Sequence, residues 1–380
     1  MMTRVLNLIT SLDVGGAEMM LLKVVSGLDR SRFDTRVVSL LPAGEVGRMM
    51  EDAGIPVESL ELQRGRAAIS GLGRFLRICR EFRPHVMMTW LYHADLLGAL
   101  SRPFFPKTAL AWNLRCANMD FSRYAPLTGR VVKANALFSF IPSVVVANSS
   151  AGLLMHRQLG YRPRRTEIIE NGFDTSLFRP DVEARKLARA AWGISDDAPV
   201  VGLFARFDPM KGHGDFFRAA GILSRKMPAV HFVLCGQGVT PENPEVSARI
   251  RENGLDRACV LLGPRSDMPG LYPGLDLLCS PSLGEGFPNV VGEAMSSGVP
   301  CVVTDVGDCR EVVGDTGFTV PPGSPEEMAD SLSRLLEMPE ESRLLLGQAA
   351  RKRIETRYSI ASVVDRYEKL YASLAAGSAR

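Results

Sequence analysis

The chain has 380 residues, 46% of them hydrophobic and 23% charged, which gives room for two buried cores and matches the soluble average. Seven cysteines stand at 79, 116, 235, 259, 279, 301 and 309; none forms a C-x-x-C pair and the count is odd, which argues for reduced thiols in a cytoplasmic protein and against a disulfide frame or a zinc site. Net charge is +3, but residues 1–180 hold 23 Lys+Arg against 15 Asp+Glu while residues 181–380 hold 22 against 27. The basic first half suits an anionic contact or a solvated basic face.

The opening "MMTRVLNLITSL" runs straight into a strand-like stretch, without a long apolar segment and cleavage site, so no secretory signal is expected. Val5 to Thr10 is an apolar run; Gly15-Gly16 follows; a helical pattern then passes through Met19, Leu22 and Val25. Further units alternate: "DTRVVSLL" strand, "GEVGRMMEDAG" helix, "HVMMTW" strand, "LLGALSR" helix, "TALAWNL" and "SVVVANSS" strands. A second series opens at Val200–Phe204, with a helix from about Asp215, and continues through "VHFVLCG", "CVLLG", "LDLLCSPS" and "PCVVTDVG". Apolar strands alternating with helices predict parallel sheets covered on both faces, hence an α/β chain of two doubly wound, Rossmann-like domains. The turn-rich "ENGFDTSLFRPD" (170–181) marks the boundary, with domains over 1–175 and 176–359, and "SIASVVDRYEKLYASLAA" (359–376) forms a last helix. No segment offers about 18 uninterrupted apolar residues, so no spanning helix is expected. Ligands of open α/β sheets bind at the carboxyl ends of strands, which predicts a site in a deep cleft across which the two domains face each other.

In "GEGFPNVVGEAMSSGVP" (284–300), Pro288 fits a first helical turn and Gly298 and Pro300 a helix end, predicting a helix over 288–297. Its mouth offers the N–H groups of Asn289 and Val290 to an anion. Glu285 before the mouth and Glu293 inside the helix suit a ligand with hydroxyls on both sides of a diphosphate; on the spacing alone, a capping carboxylate and an ordinary polar helix residue account for them better. In "ARFDPMKGHGD" (205–215), Arg206 and Lys211 stand in the turn after a strand, where they suit a departing diphosphate or solvent. No D-x-D is present to hold a divalent metal.

"SLDVGGAE" (11–18) is a glycine-rich turn at Gly15 and Gly16, but not G-x-G-x-x-G; it suits close approach of a substrate or simply a tight turn. His93, after a strand in "TWLYHADLLG", suits a hydrogen bond to substrate or a structural role. "ISGLGRFLRICREFRPH" (69–85) sets Arg74, Arg77, Arg80 and Arg83 beside Phe75, Leu76, Ile78 and Phe82; such a helix rests on an anionic membrane or is a solvated face.

These residues together resemble the glycosyltransferase family 4 pattern on the GT-B fold. Glu285 and Glu293 match the family's E-x7-E, Arg206 and Lys211 its Arg/Lys pair, and "IIENGFDTSLFRP" (168–180) its interdomain segment. "LCGQG" (234–238), "LLGPRSDMPGLYPGLDLLCSPS" (261–282) and the turn Gly15–Glu18 are similar to the family as well. The resemblance spans nearly the whole chain and is strongest over 200–325.

The resemblance implies a retaining, metal-independent transferase acting on a nucleotide-sugar donor and a glycan or lipid-linked saccharide acceptor, with no cofactor. It implies roles in cell-surface polysaccharide or glycolipid synthesis, in the cytoplasm or at the inner face of the membrane. Arg206 and Lys211 would hold the diphosphate, Glu293 the ribose and Glu285 the sugar. Backbone groups from Phe287 through Pro288 and Asn289 to Val290 would meet sugar or phosphate. His93 matches a histidine of the family's cleft, and Gly15-Gly16 would lie near the diphosphate. The first domain would take the acceptor, the second the donor, and the helix at about 360–380 would pack back on the first. Relatives commonly carry E-G-F-G-L where this chain has "EGFPN", so donor identity does not transfer. A sugar-nucleotide epimerase of similar architecture, or a non-catalytic nucleotide-sugar-binding module, are the alternatives; a nicotinamide oxidoreductase fits least.

Overall fold

The structure, a computed structural model, describes residues 2–63, 69–116 and 126–378. In chain order the first half runs β1 (Thr3–Ile9), α1 (Gly16–Gly27), β2 (Phe33–Ser39), α2 (Glu45–Asp52), β3 (Val57–Ser59), α3 (Ile69–Phe82), β4 (Val86–Trp90), α4 (Tyr92–Ser101), β5 (Ala109–Leu114), α5 (Pro126–Phe138), β6 (Val144–Ala147), α6 (Ser150–Gln158) and β7 (Thr166–Ile168). The second runs α7 (Val182–Trp192), β8 (Val200–Phe204), α8 (His213–Lys226), β9 (His231–Cys235), α9 (Pro244–Glu252), β10 (Cys259–Leu261), α10 (Met268–Leu271), β11 (Leu277–Ser280), α11 (Asn289–Ser296), β12 (Cys301–Thr304), α12 (Cys309–Val313), β13 (Phe318–Val320), α13 (Pro325–Leu336) and α14 (Glu340–Arg357), followed by α15 (Ile360–Ser378).

The chain divides into two compact units, Met1–Gly172 with Ile360–Arg380, and Phe173–Ser359. Unit 1 holds a parallel sheet in the order β3-β2-β1-β4-β5-β6-β7; unit 2 holds one in the order β10-β9-β8-β11-β12-β13. Both are Rossmann-like parallel α/β sheets, as expected. The central strands β4, β5, β6, β8, β11 and β12 are buried throughout, because helices cover both faces. The short edge strands β3, β7 and β13 were not anticipated.

Two helices refine the sequence reading. In α1 the buried stripe is Ala17, Met20, Leu21, Val24 and Val25, while Met19 and Leu22 are only partly covered. The pattern stands one position off because this helix is apolar nearly all round. In α3, Phe75, Ile78, Cys79 and Phe82 are buried in the unit 1 core, whereas Arg74, Arg77, Arg80 and Arg83 are exposed. The apolar face of this amphipathic helix is therefore already used.

Helix α15 supplies Val363, Tyr367, Leu370 and Tyr371 to the unit 1 core, with Trp90 stacked on Tyr367 at 6.0 Å. Residues 379 and 380 of the expected helix lie outside the described residues. Among the described residues no helix is long and apolar enough to cross a membrane. The seven cysteines are free thiols, five of them buried.

Candidate functional site

The carboxyl ends of β8, β9, β11 and β12 meet at one edge of the unit 2 sheet. The chain leaves β8 through a short 3-10 turn, Pro209–Lys211, capped by Asp208, whose Oδ1 accepts the Met210 N–H at 2.8 Å. Gly212 then takes a φ of +66°, and a Cβ there would fall 1.9 Å from the Pro281 carbonyl oxygen, so only glycine lets this turn touch the loop after β11. The Leu283 N–H donates to the Met210 carbonyl at 2.8 Å across the same seam, and Thr304 Oγ1 donates to the Ser282 carbonyl at 2.5 Å from β12.

This seam joins two predicted site residues. Lys211 Nζ lies 2.5 Å from Glu285 Oε1, and Ser282 Oγ donates to the same oxygen at 2.7 Å. Glu285 keeps 11% of its side-chain surface exposed and Lys211 23%, so both still reach solvent. Arg206 stands on the same turn but apart from the pair: its side chain is 65% exposed, with Nε 3.5 Å from Asp208 Oδ2. Its freedom suits a guanidinium that pairs with a mobile anion.

Pro288 is not the first helical residue. It sits outside the helix as its N-cap, with φ −83° and ψ 91°, and α11 begins at Asn289. Its ring carries no hydrogen-bonding group and makes no cap bond to the start of α11. The helix closes at Ser296 with a paired seal in which Gly298 N–H donates to the Met295 carbonyl and Val299 N–H to that of Ala294, Gly298 being left-handed at φ +76°. Phe287 faces inward, stacked on Phe173 at 6.0 Å and edge-on to Tyr358 at 5.6 Å, so only its backbone is available to a ligand. Asn289 and Val290 are half-buried at the helix mouth.

Glu293 is half-buried, and its Oε2 accepts the Tyr272 hydroxyl at 2.7 Å. Tyr272 itself is fully buried, and burial together with the adjacent carboxylate raises its hydroxyl well above the ordinary range, so it remains a donor. Sequence reasoning missed Tyr272 and Ser282. Ser282, three residues before Glu285 in the same loop, carried the only local signal.

The remaining predicted residues, His93, Gly15 and Gly16, lie in unit 1 at the carboxyl edge of its own sheet. Gly15 is the N-cap of α1 and Gly16 its first residue. His93 is in the first turn of α4, just after Leu91, which holds a φ of +72° that a leucine adopts only under strain. Burial holds the His93 imidazole below its ordinary value, so near pH 7 the ring is neutral and offers one N–H donor.

Residues 15–172 match the family model for the glycosyl transferase 4-like domain, and residues 198–338 that for glycosyl transferases group 1. Bacillus subtilis EpsF, which bears a glycosyltransferase name, is 30% identical over 199 residues, 52% of this chain and 48% of its own length. The D-inositol 3-phosphate glycosyltransferase of Corynebacterium urealyticum is 30% identical over 220 residues, 55% of this chain and 51% of its own. The chain thus spans about half the length of the curated relatives it matches. Among solved structures, Anabaena Alr3699/HepE in complex with UDP superposes with a TM-score of 0.84 at 25% identity over 98% of this chain and all of that one. Sucrose-phosphate synthase from Thermosynechococcus elongatus, at 19% identity and a TM-score of 0.79, shares the fold. Two parallel Rossmann-like units, each holding a region matched by a glycosyltransferase domain model, give the chain the GT-B fold.

Proposed function

We propose that the protein is a retaining, metal-independent glycosyltransferase that moves a sugar from a nucleotide-sugar donor to a glycan or lipid-linked saccharide acceptor. The observation that carries this reading is the Lys211–Glu285 pair, built at the mouth of α11 by loops from two strands. The UDP bound to the similar Anabaena protein supports the nucleotide part.

In this reading Arg206 and Lys211 neutralise the departing diphosphate, aided by the N–H groups of Asn289 and Val290. Glu293, aimed by Tyr272, accepts the ribose hydroxyls, and Glu285 those of the donor sugar. The backbone at Phe287 and Pro288 borders the sugar. In unit 1, His93 offers a hydrogen bond to a substrate, and the Gly15-Gly16 turn allows a substrate's close approach. The bond from the anomeric carbon to the phosphate oxygen breaks, the acceptor oxygen bonds to that carbon on the same face, and the acceptor proton passes to the leaving phosphate. The positive charge supplied by Arg206 and Lys211 takes the place of a metal.

We place this activity in cell-surface polysaccharide or glycolipid synthesis, in the cytoplasm with peripheral contact at the inner face of the membrane. Since the apolar side of α3 is packed into the core, that contact is electrostatic, through Arg74, Arg77 and Arg80.

The test is a panel of UDP-, GDP- and dTDP-sugars with a cell lipid extract, following nucleoside diphosphate release with and without EDTA. Acceptor-dependent release that survives EDTA is the expected result. Interconversion of the sugars without release, or nucleotide binding with no turnover, would overturn the reading.

A further inference from the structure

Helices α3, α4 and α5 cover one face of the unit 1 sheet: Phe75 and Ile78, Ala94 and Ala99, and Val132 enter the same core. Helix α4 leads into β5, α5 into β6 and α6 into β7, and these three strands are neighbours running in parallel. The three helices therefore end together, at the amino edge of β5, β6 and β7. That edge is opposite the one that holds His93 and the Gly15-Gly16 turn.

This end carries large apolar side chains in the open. Leu100 stands on the last turn of α4, and Phe104 on the short 3-10 turn after it, Arg102–Phe104. Leu137 stands on the last turn of α5 and Phe140 just beyond it, while Leu154 is on α6. All five are exposed, Leu137 at 70%. Beside most of them in the chain is a residue turned inward: Phe105, Phe138, Ile141 and Leu153 pack against the core. The core is thus filled without the exposed five, which stand as a patch that water disfavours.

The charge around them has one sign. Residues 96–166 contain ten Lys and Arg and a single acid, Asp120, which lies outside the described residues. Lys107, Arg157, Arg162 and Arg164 are exposed and meet no carboxylate among the described residues, whereas Arg165 is answered by Glu167 at 2.9 Å. The Arg162 N–H donates to Ser139 Oγ at 2.6 Å, which ties the loop before β7 to the loop before β6 and makes the basic and apolar parts one surface. A second copy seated on this patch would set cation against cation. An anionic bilayer is complementary in both respects: its headgroups attract Lys and Arg, and its acyl boundary takes up Leu and Phe.

We propose that the ends of α4, α5 and α6 form a membrane-insertion surface, with Leu100, Phe104, Leu137 and Phe140 entering the acyl boundary of an anionic bilayer and the flanking cations meeting its headgroups. This deepens the peripheral membrane contact proposed above and rests on it, adding an apolar component that α3 does not supply. Because the surface lies at the amino edge, it holds the protein to the bilayer and leaves the carboxyl edge of the sheet open.

The experiment sediments the full chain with phosphatidylserine-containing vesicles and with pure phosphatidylcholine vesicles, at low and at high salt. The wild type is expected to bind the anionic vesicles and to keep part of that binding at high salt, since salt screens charges but not insertion. Leu137→Ser combined with Phe140→Ser is expected to bind about tenfold or more weakly, with an unchanged thermal melt because Phe138 and Ile141 still fill the core. The native Trp90, Trp112 and Trp192 are buried, so in Leu137→Trp a blue shift of the emission on adding vesicles reads insertion at this point. A serine pair that binds like wild type, complete loss of wild-type binding at high salt, or an unshifted Leu137→Trp emission would each overturn the insertion. If charge reversal of Arg74, Arg77 and Arg80 still lowers binding in that case, the membrane contact stands without this surface; a wild type that binds no vesicle overturns both. Self-association that the serine pair abolishes, without vesicle binding, would assign the surface to a second copy and overturn the proposal. Should the serine pair fail to fold, Leu100→Ser with Leu154→Ser takes its place, with the same expected loss and the same overturning result.

Discussion

Lys211 and Glu285, 74 residues apart in the chain, share a contact of 2.5 Å because the turn after β8 and the loop after β11 are pressed together at Gly212 and Pro281. Neither residue is placed by its own element alone. Two loops must both be correct for the pair to exist, which makes it a sensitive indicator of the site.

Lys211→Met and Glu285→Gln are each expected to lower turnover by about 10²–10³, the usual cost of removing one preorganised electrostatic group. Because the pair is partly exposed, its loss costs the fold less than about 1 kcal/mol. Nucleoside diphosphate release and a thermal melt measure the two effects separately. Either variant keeping wild-type turnover would remove the pair from the chemistry.

Tyr272→Phe deletes the hydroxyl that holds Glu293 Oε2 and leaves the aromatic packing in place. The lost hydrogen bond is worth about 0.5–1.5 kcal/mol. If Glu293 grips the ribose, donor KM rises roughly five- to tenfold while kcat changes little, as for a group that binds ground and transition states alike. Steady-state kinetics at saturating acceptor give the split; a change confined to kcat would place Glu293 at the reacting centre instead.

His156 is fully buried in unit 1, with Nδ1 2.7 Å from the Gly152 carbonyl and Nε2 2.9 Å from the Tyr92 hydroxyl. That pattern suits a neutral ring donating from Nδ1 and accepting at Nε2. Burial lowers it from 6.5 to about 4. As pH falls below 6.5 the unfolded chain takes up the proton and the folded one does not, so stability is full above 6.5 and declines down to about 4, by on the order of 3 kcal/mol. His156→Phe is expected to be less stable at pH 7 but flatter across this window, measured by urea unfolding at pH 7, 6, 5 and 4.5. An unchanged slope would exclude His156 as the titrating group; the buried His213, lowered to about 4 as well, would remain.

Charge reversal of α3 by Arg74→Glu, Arg77→Glu and Arg80→Glu together tests the membrane contact. Each basic residue near an anionic surface contributes about 1 kcal/mol, so the triple variant should bind phosphatidylserine-containing vesicles at least about 10²-fold less. Sedimentation with vesicles, against pure phosphatidylcholine as control, reads this directly. Binding equal to wild type would remove the contact.

The central strands of both sheets were readable in the sequence, because a strand buried on both faces is written as an apolar run. Strands β3, β7 and β13 have three residues each and half-buried edges, too short for any period to register. The mouth of α11 was readable to within a residue, since Pro288, Gly298 and Pro300 punctuate it. Its contacts were not: nothing near Glu293 announces Tyr272, 21 residues away, and nothing near Glu285 announces Lys211.

The return of α15 to the first unit has a consequence for how the protein is made. Residues 360–378 carry Tyr367 and Tyr371 into the interior of a unit whose other strands left the ribosome some two hundred residues earlier. Unit 2 is continuous and can close while synthesis proceeds. Unit 1 must wait for α15 to reach Trp90 and complete its core, so the first half to be translated is finished after the second.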